Sequence, residues 1–372
     1  MATEWIGVLA AAGAKTFAMR RCQGALHTPA GEQPSTVVVA SHFTHDFMGH
    51  YLAEPLVARG YAFFGWNDRF VGSDPFFRPD EALVDVGAGV RVMRQRFENV
   101  VLLGNSGGGS LMSAFQSQAS GSALVAEAVN EIYGDVHPDL ESLEPGDAYI
   151  ALNAHESRPK VLTEWFDPSV VDERDPFAAD PELDLWGGVV GQPPYDPAFL
   201  ERYRAAQVAR NGRITSWVRE QQAAVKANGG TERLFNVFRG WADPRYLDLT
   251  IDPSDREVGC YLSADVRTAN YSAYGLASSC SLKTWLSMWS LDYDVLNVAK
   301  HLPNVTVPAL VIQGTADQGV YPSNARSLYE HLGAEDKSLV WIDGGGHYLD
   351  GDHLTQAVDT IAAWLEDHGF NP

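Results

Sequence analysis

Residues 101–110 read VLLGNSGGGS and place a single serine, Ser106, among glycines directly after a branched apolar run. The run predicts a short buried strand over 99–103, and the Ser, Ala, Leu and Met content that follows predicts a helix over 106–118. Glycine tolerates backbone conformations and close contacts that a side chain would prevent. A strand that turns sharply into a helix through a glycine-flanked serine is the G-x-S-x-G geometry that exposes a nucleophilic hydroxyl.

Similar apolar runs recur along the chain and alternate with helical patterns. Further strands are predicted at 36–40, 62–66, 148–152, 309–312 and 338–342, and further helices at 46–59, 79–97 and 355–367. Continuous Val, Ile and Leu runs are typical of strands buried on both faces of a parallel sheet. Strands that alternate with helices indicate right-handed βαβ crossovers. The sequence therefore predicts an α/β protein with a mostly parallel sheet flanked by helices, with residues 15–27 adding one or two antiparallel edge strands.

The alternation stops after Asn153 and resumes near residue 300. The intervening segment is predicted to open with a proline-rich loop over 166–184 and to hold helices over 197–226, with a break at 211–212, and over 277–298. The predicted division is a core domain of residues 1–155 and 301–372 and a large, mainly helical cap of residues 156–300, inserted after the sixth strand.

The composition excludes several classes of partner. The chain has 372 residues, with 27 Lys and Arg against 48 Asp and Glu, and its formal net charge is −21. A negative field of this size repels phosphate backbones and anionic membranes, so neither nucleic acid nor a membrane is an expected partner. The three cysteines form no C-x-x-C pair, which favours reduced thiols. With neither a signal-peptide pattern nor an apolar span of about 20 residues, the expected location is the cytoplasm.

Two further residues complete a catalytic pattern with Ser106. Asp317 follows the strand in ALVIQGTAD, and His347 lies on the glycine-flanked loop that follows the strand in SLVWIDGGGHYL. The order Ser, then Asp, then His is that of the elbow architecture, and each residue falls at the carboxyl end of a predicted strand. We expect His347 to act as the base and Asp317 to orient it. Glu156, directly after the strand at 148–152, is an alternative acid.

The loop after residues 36–40 is a candidate for the oxyanion hole. The backbone N–H of Phe43, with Thr44 as the alternative, would pair there with the N–H of Gly107, which follows the nucleophile. With its neighbours, the segment ASHFTHD…ARGYAFFGWNDRFVGSD resembles the H-G-F-T and D-x-R-G-x-G-x-S segments of the α/β-hydrolase superfamily, in its capped esterase and lipase-like branch. The chain departs from that pattern at Ser41 and His42, which replace His-Gly, and at Phe70, which replaces a glycine.

The cap sequence suggests the kind of substrate. Six tryptophans fall within it, and aromatic surface with a few polar groups is typical of small-molecule pockets, so we expect an apolar or aromatic ester. They are Trp165, Trp186, Trp217, Trp241, Trp285 and Trp289. The arginines of residues 201–230 scatter around a helical wheel, which favours a solvated surface over a clamp for a carboxylate or a coenzyme A phosphate. The histidines of residues 42–50 match no standard zinc spacing, so neither a metal nor an organic cofactor is expected.

These patterns predict a serine hydrolase that cleaves a carboxylic ester through an acyl-enzyme on Ser106. A thioesterase, lactonase, amidase, C–C bond hydrolase or acyltransferase would use the same residues. A non-catalytic ligand receptor on a hydrolase scaffold is the alternative from another class. The sequence leaves open whether the chain forms a homo-oligomer.

Overall fold

The computed structural model describes residues 1–9, 21–31, 33–272 and 277–372. Its strands are β1 (Ala2–Leu9), β2 (Arg21–Thr28), β3 (Thr36–His42), β4 (Ala62–Asn67), β5 (Asn99–Asn105), β6 (Ala148–Leu152), β7 (Val170–Asp172), β8 (Asp175–Ala179), β9 (Leu234–Phe238), β10 (Ala277–Ser281), β11 (Ala309–Gly314) and β12 (Lys337–Ile342). The α-helices are α1 (Ala53–Ala58), α2 (Pro79–Arg94), α3 (Gly108–Ala119), α4 (Leu124–Tyr133), α5 (Arg158–Trp165), α6 (Pro197–Ala227), α7 (Val266–Tyr271), α8 (Leu282–Thr284), α9 (Val298–His301), α10 (Pro322–His331) and α11 (Gly351–Asp367).

Eight strands form the central sheet in the order β1-β2-β4-β3-β5-β6-β11-β12. The six strands from β4 to β12 run parallel, whereas β2 pairs antiparallel with both β1 and β4. The α/β architecture with a mostly parallel sheet flanked by helices is therefore confirmed, as is the large helical insertion after the sixth strand.

Alternate residues of the parallel strands face two separate cores. On one face, Val38, Val101 and Leu310 pack with α1 and α11. On the other, Val37 and Leu102 pack with α2, α3 and α10. Because both faces of these strands are buried, their sequences are continuous apolar runs instead of alternating ones.

Several local predictions are wrong. Of residues 46–59 only Ala53–Ala58 is helical, because the Asp46 side chain accepts from the Met48 N–H and the Asn67 amide and so stabilises a turn. The predicted loop over 166–184 contains the β7–β8 hairpin. Residues 277–298 start with strand β10, paired with β9, and a π-helical turn over Trp285–Trp289.

Two other predictions concern the amino-terminal edge and the long helix of the insertion. Strand β2 confirms the antiparallel strand expected within residues 15–27, of which 15–20 lie outside the described residues. Strand β1 was not predicted, because it is an edge strand with mostly exposed side chains. Helix α6 continues through residues 211–212 without the expected break. Where the core ends and the cap begins stays a prediction.

Candidate active site

The turn between β5 and α3 holds Ser106 in a strained backbone conformation. Its φ is +55°, in the left-handed region, which costs a non-glycine residue roughly 1–2 kcal/mol. A Cβ on Gly104 would lie 2.6 Å from Gly109 Cα, and one on Gly108 would lie 2.4 Å from the Ser41 carbonyl oxygen. Glycine is thus required at position 104 for β5 to turn closely into α3, and at position 108 for α3 to pack against β3. Ser106 itself remains partly exposed.

Asp317 and His347 meet at the carboxyl ends of β11 and β12. Nδ1 of His347 lies 2.9 Å from Oδ2 and 3.1 Å from Oδ1 of Asp317. The carboxylate is buried, and its Oδ1 also accepts from the N–H groups of Gly319 and Val320 at 2.7 and 2.9 Å. These contacts fix the carboxylate against the imidazole, so Nε2 of His347 is the nitrogen left to exchange a proton.

Asn153, the residue after β6, connects the loops that carry this pair. Its Oδ1 accepts from the Gly314 N–H at 2.8 Å, and its Nδ2 donates to the carbonyls of Gly346 and His347 at 3.1 and 3.0 Å. It also has a positive φ of 44°. The imidazole is therefore positioned by three strands, β6, β11 and β12.

A second imidazole, that of His155, is the hydrogen-bond partner of the serine. Ser106 Oγ lies 3.4 Å from His155 Nε2, and the described residues include no hydrogen bond between Ser106 and His347. The two imidazole rings are 6.5 Å apart. Burial, with Arg158 and His347 nearby, holds the pKa of His155 well below its usual value, so the ring is neutral. Its Nδ1 is buried without a partner, whereas that of His347 has a carboxylate.

The two amides expected to bind an oxyanion are not used by the fold. Among the described residues, neither the Phe43 nor the Gly107 N–H donates to another backbone or side-chain group, whereas Thr44 N–H points to Nδ1 of His42 at 3.5 Å. A Cβ on Gly107 would stand 2.7 Å from His42 Nε2. The His42 side chain, which replaces the glycine of the superfamily pattern, therefore packs directly against Gly107.

Comparisons with known proteins agree with the fold described above. The sequence profile of the family described as serine aminopeptidase, S33, matches residues 262–353, a segment that contains Asp317 and His347. No curated protein matches the chain. The solved structure of the alpha/beta hydrolase GrgF from Penicillium sp. sh18 superposes over 99% of both chains with a TM-score of 0.56 at 12% identity. The chain has the α/β-hydrolase fold.

Two other solved structures are similar to this chain. DcsB, determined in complex with its substrate analogue, covers 98% of this chain and 99% of its own at 14% identity, with a TM-score of 0.50. The esterase domain of a Rhodothermus marinus protein covers 99% of each chain at 13% identity, with a TM-score of 0.49.

Aromatic side chains of the insertion cover the two imidazoles of the candidate site. The Tyr261 ring stacks on His347 with centroids 4.7 Å apart, and the Trp165 ring meets the edge of His155 at 5.5 Å. Trp241 stacks on Trp165 and contacts Tyr261. The other four tryptophans pack elsewhere, against Phe166, Phe235 or Tyr271. Two of the six tryptophans named from the sequence thus line the site.

The other candidates from the sequence have structural partners. The Glu156 carboxylate pairs with Lys160 and makes no contact with His347 among the described residues. Arg204 and Arg210 pair with Asp243 and Glu173. In the segment of residues 42–50, His42 packs against the rings of His45 and Phe47, and His50 bonds to Asn105. No described group of three or more His, Cys, Asp or Glu side chains has the arrangement of a metal site.

Sequence reasoning missed His155, Asn153 and Arg158. Asn153 and His155 follow β6 at the same sheet edge as Asp317 and His347. Ligands bind at the carboxyl ends of the strands in such sheets, so this position could have been found from the sequence. We applied that rule to Glu156, one residue too far along the chain.

No described helix is long and apolar enough to cross a membrane.

Proposed function

We propose that this protein is a serine hydrolase that cleaves a small carboxylic ester through an acyl-enzyme on Ser106. The observation that carries the proposal is the pairing of His347 with a buried Asp317 at the sheet edge where Ser106 stands on a strained turn. A carboxylate-oriented imidazole beside an activated serine is the arrangement that acyl transfer needs. The family profile that spans both residues supports the same reaction class.

In the proposed reaction, the Ser106 side chain turns from His155 toward His347, which removes the hydroxyl proton as Oγ attacks the ester carbonyl. The N–H groups of Phe43 and Gly107 stabilise the resulting oxyanion, and each such donor contributes roughly 3–4 kcal/mol to lowering the barrier. His347 then protonates the departing alcohol. Water, deprotonated by the same imidazole, hydrolyses the acyl-enzyme and regenerates Ser106.

The environment supports a small-molecule substrate in a reducing compartment. The aromatic surface formed by Trp165, Trp241 and Tyr261 offers an apolar wall beside the reacting carbonyl. All three cysteines are buried free thiols, which fits the cytoplasmic location expected from their number. A membrane or a nucleic acid is not among the partners we propose, because the net charge of −21 disfavours both.

A fluorophosphonate probe tests the nucleophile. The wild-type protein should be labelled at Ser106, and Ser106→Ala should not be labelled. Ser110→Ala is the matched control, because Ser110 lies one turn further along α3 and is buried. An unlabelled but folded wild-type protein would instead support a receptor that retains the scaffold without catalysis.

A panel of esters then tests the bond that is cleaved. We expect hydrolysis of p-nitrophenyl esters with short or aromatic acyl groups, measured beside an acyl-CoA, an aryl lactone and an anilide. Activity on the acyl-CoA alone would replace the esterase assignment with a thioesterase.

A further inference from the structure

Arg158 has a guanidinium group without a hydrogen-bond or ion-pair partner among the described residues. It is the first residue of α5, three positions beyond His155, and its Nε is buried with no hydrogen-bond acceptor. Among the described residues, its side chain donates no hydrogen bond and has no carboxylate within ion-pair distance. The side chain is nevertheless partly exposed. Part of its donor surface is therefore open to a molecule other than the protein.

The guanidinium lies beside the groups proposed to bind the oxyanion. Nη1 of Arg158 is 3.5 Å from the point where a Cβ on Gly107 would stand. Its Cζ lies 5.7 Å from the centroid of the Phe43 ring. Gly107 and Phe43 are the two residues whose N–H groups face the reacting carbonyl in the proposed mechanism. A group bound by Arg158 would thus lie only a few bonds from that carbonyl.

The arginines that are more buried than Arg158 differ from it because each has partners within the protein. Arg256 donates to backbone carbonyls, among them those of Ile251 and Asp252, and the other four pair with a carboxylate. The pairs are Arg69–Asp85 at 2.6 Å, Arg210–Glu173 at 2.7 Å, Arg239–Asp167 at 2.6 Å and Arg245–Asp243 at 2.6 Å. Leaving a buried charge unpaired is strongly destabilising. The exception next to the nucleophile is expected if a ligand, instead of a side chain, supplies the missing carboxylate.

The neighbouring side chains do not neutralise Arg158 and add no second free cation. Burial, with Arg158 close by, holds the pKa values of His42 and His155 well below the usual range, so both rings are neutral. Arg245, which also acts on His155, is already paired with Asp243 and Glu164. Asp74 lies near enough for its charge to act on Arg158, but it is exposed and forms no ion pair with it among the described residues. A single free cation matches a singly charged carboxylate better than a doubly charged phosphate.

We propose that Arg158 binds a carboxylate carried by the substrate, so that the preferred substrate is a half-ester of a short dicarboxylic acid. This inference rests on the proposed function. The planar guanidinium can donate two parallel hydrogen bonds to the carboxylate. That contact places the other carbonyl of the same molecule between Ser106 and the Phe43 and Gly107 amides.

The test compares monomethyl glutarate with methyl 5-oxohexanoate, in which a methyl ketone replaces the carboxylate at the same position. The wild-type protein should show a kcat/KM about 100-fold higher for the anionic ester, because truncating a desolvated charge pair has effects of this order. Arg158→Met should abolish this preference, and Arg158→Lys should retain part of it. The matched control is Arg202→Met, which removes an exposed cation of α6. Equal rates on both esters in the wild-type protein overturn the inference without any variant.

A binding measurement separates this inference from the proposed function. Glutarate, the product, should raise the melting temperature of the wild-type protein and of Arg202→Met but not that of Arg158→Met. If glutarate stabilises the protein in this Arg158-dependent way but no ester is hydrolysed, the hydrolase assignment fails and the anion site stands. If the neutral ester is hydrolysed and glutarate has no effect, the anion site fails and the hydrolase assignment stands.

Discussion

At the scale of single residues, the site presents two imidazoles to one serine and gives only one of them a carboxylate. His155 is neutral and lacks a partner for Nδ1, so an imidazolium formed there would be destabilised by burial. His347 has Asp317 beside Nδ1, which stabilises the imidazolium that forms when the serine proton is taken. In the reaction we propose, the hydrogen bond between Ser106 and His155 is therefore a resting contact, and His347 accepts the proton.

This difference predicts unequal effects of two matched substitutions. His347→Gln should reduce kcat by at least about 1,000-fold, since it removes a member of the catalytic unit. His155→Gln keeps a polar group near Ser106 Oγ and should reduce kcat by about tenfold or less, because no proton is transferred to it. The measurement is steady-state kinetics on one ester, with folding checked by circular dichroism. A larger loss in His155→Gln than in His347→Gln would reverse the two roles.

At the scale of elements, two glycines of helical segments have opposite surroundings. Gly108, the first residue of α3, packs so closely that a Cβ would reach the Ser41 carbonyl oxygen of β3. Gly212, in the interior of α6, is exposed, and a Cβ there would have no atom within 4 Å. Glycine is needed at the first position and only lowers helix stability at the second.

The matched pair Gly108→Ala and Gly212→Ala tests this reading of the two helices. Gly212→Ala should increase the free energy of unfolding by about 0.5–1 kcal/mol, because alanine loses less backbone entropy in a helix. Gly108→Ala should decrease it by roughly 1–3 kcal/mol, because β3 and α3 must move apart. Urea denaturation measures both changes. A destabilised Gly212→Ala would show that α6 needs flexibility at the position where the sequence predicted a break.

The same elements explain how much of the structure the sequence could predict. Strands β3, β4, β5, β6, β11 and β12 were located within a few residues, because burial on both faces imposes an unmistakable apolar run. The β7–β8 and β9–β10 pairs were missed, since their side chains are partly exposed and their pairing depends on tertiary contacts. Ser106, Asp317 and His347 were proposed from the glycine-flanked turn, the order of the three residues and the predicted strand ends. Arg158 could not be named in this way, because an arginine without a partner looks like any other arginine in a sequence.

At the scale of the whole molecule, buried neutral histidines couple folding to pH. Burial lowers the pKa of His50 and of His301 to about 4, and it holds those of His42 and His155 well below their usual value. In the unfolded chain the same groups titrate near pH 6.5. Between those values the unfolded chain binds more protons, so the stabilisation is complete above about pH 6.5 and is lost as the pH falls toward 4.

The free energy of unfolding should therefore fall steeply between pH 6.5 and about pH 4, with each of His50 and His301 contributing on the order of 2–3 kcal/mol. Denaturation curves at pH 7.5, 6 and 5 measure this dependence. His301→Gln keeps a donor for the Val295 carbonyl and removes one titrating group, so the free energy of unfolding should depend less steeply on pH. Equal stability at pH 7.5 and pH 5 would exclude this coupling.

The residues of the proposed site come from two different parts of the chain, and this has an evolutionary consequence. Ser106, Asp317 and His347 stand on the sheet, whereas Arg158, Trp165 and Tyr261 belong to the stretch that interrupts it between β6 and β11. Under the proposed function, replacing the part of that stretch from Arg158 onward would exchange the groups proposed to contact the ligand and leave Asn153 and the three proposed reacting groups in place. Descendants of one ancestor can thus acquire new specificities by remodelling a single contiguous segment, without rebuilding the chemistry beneath it.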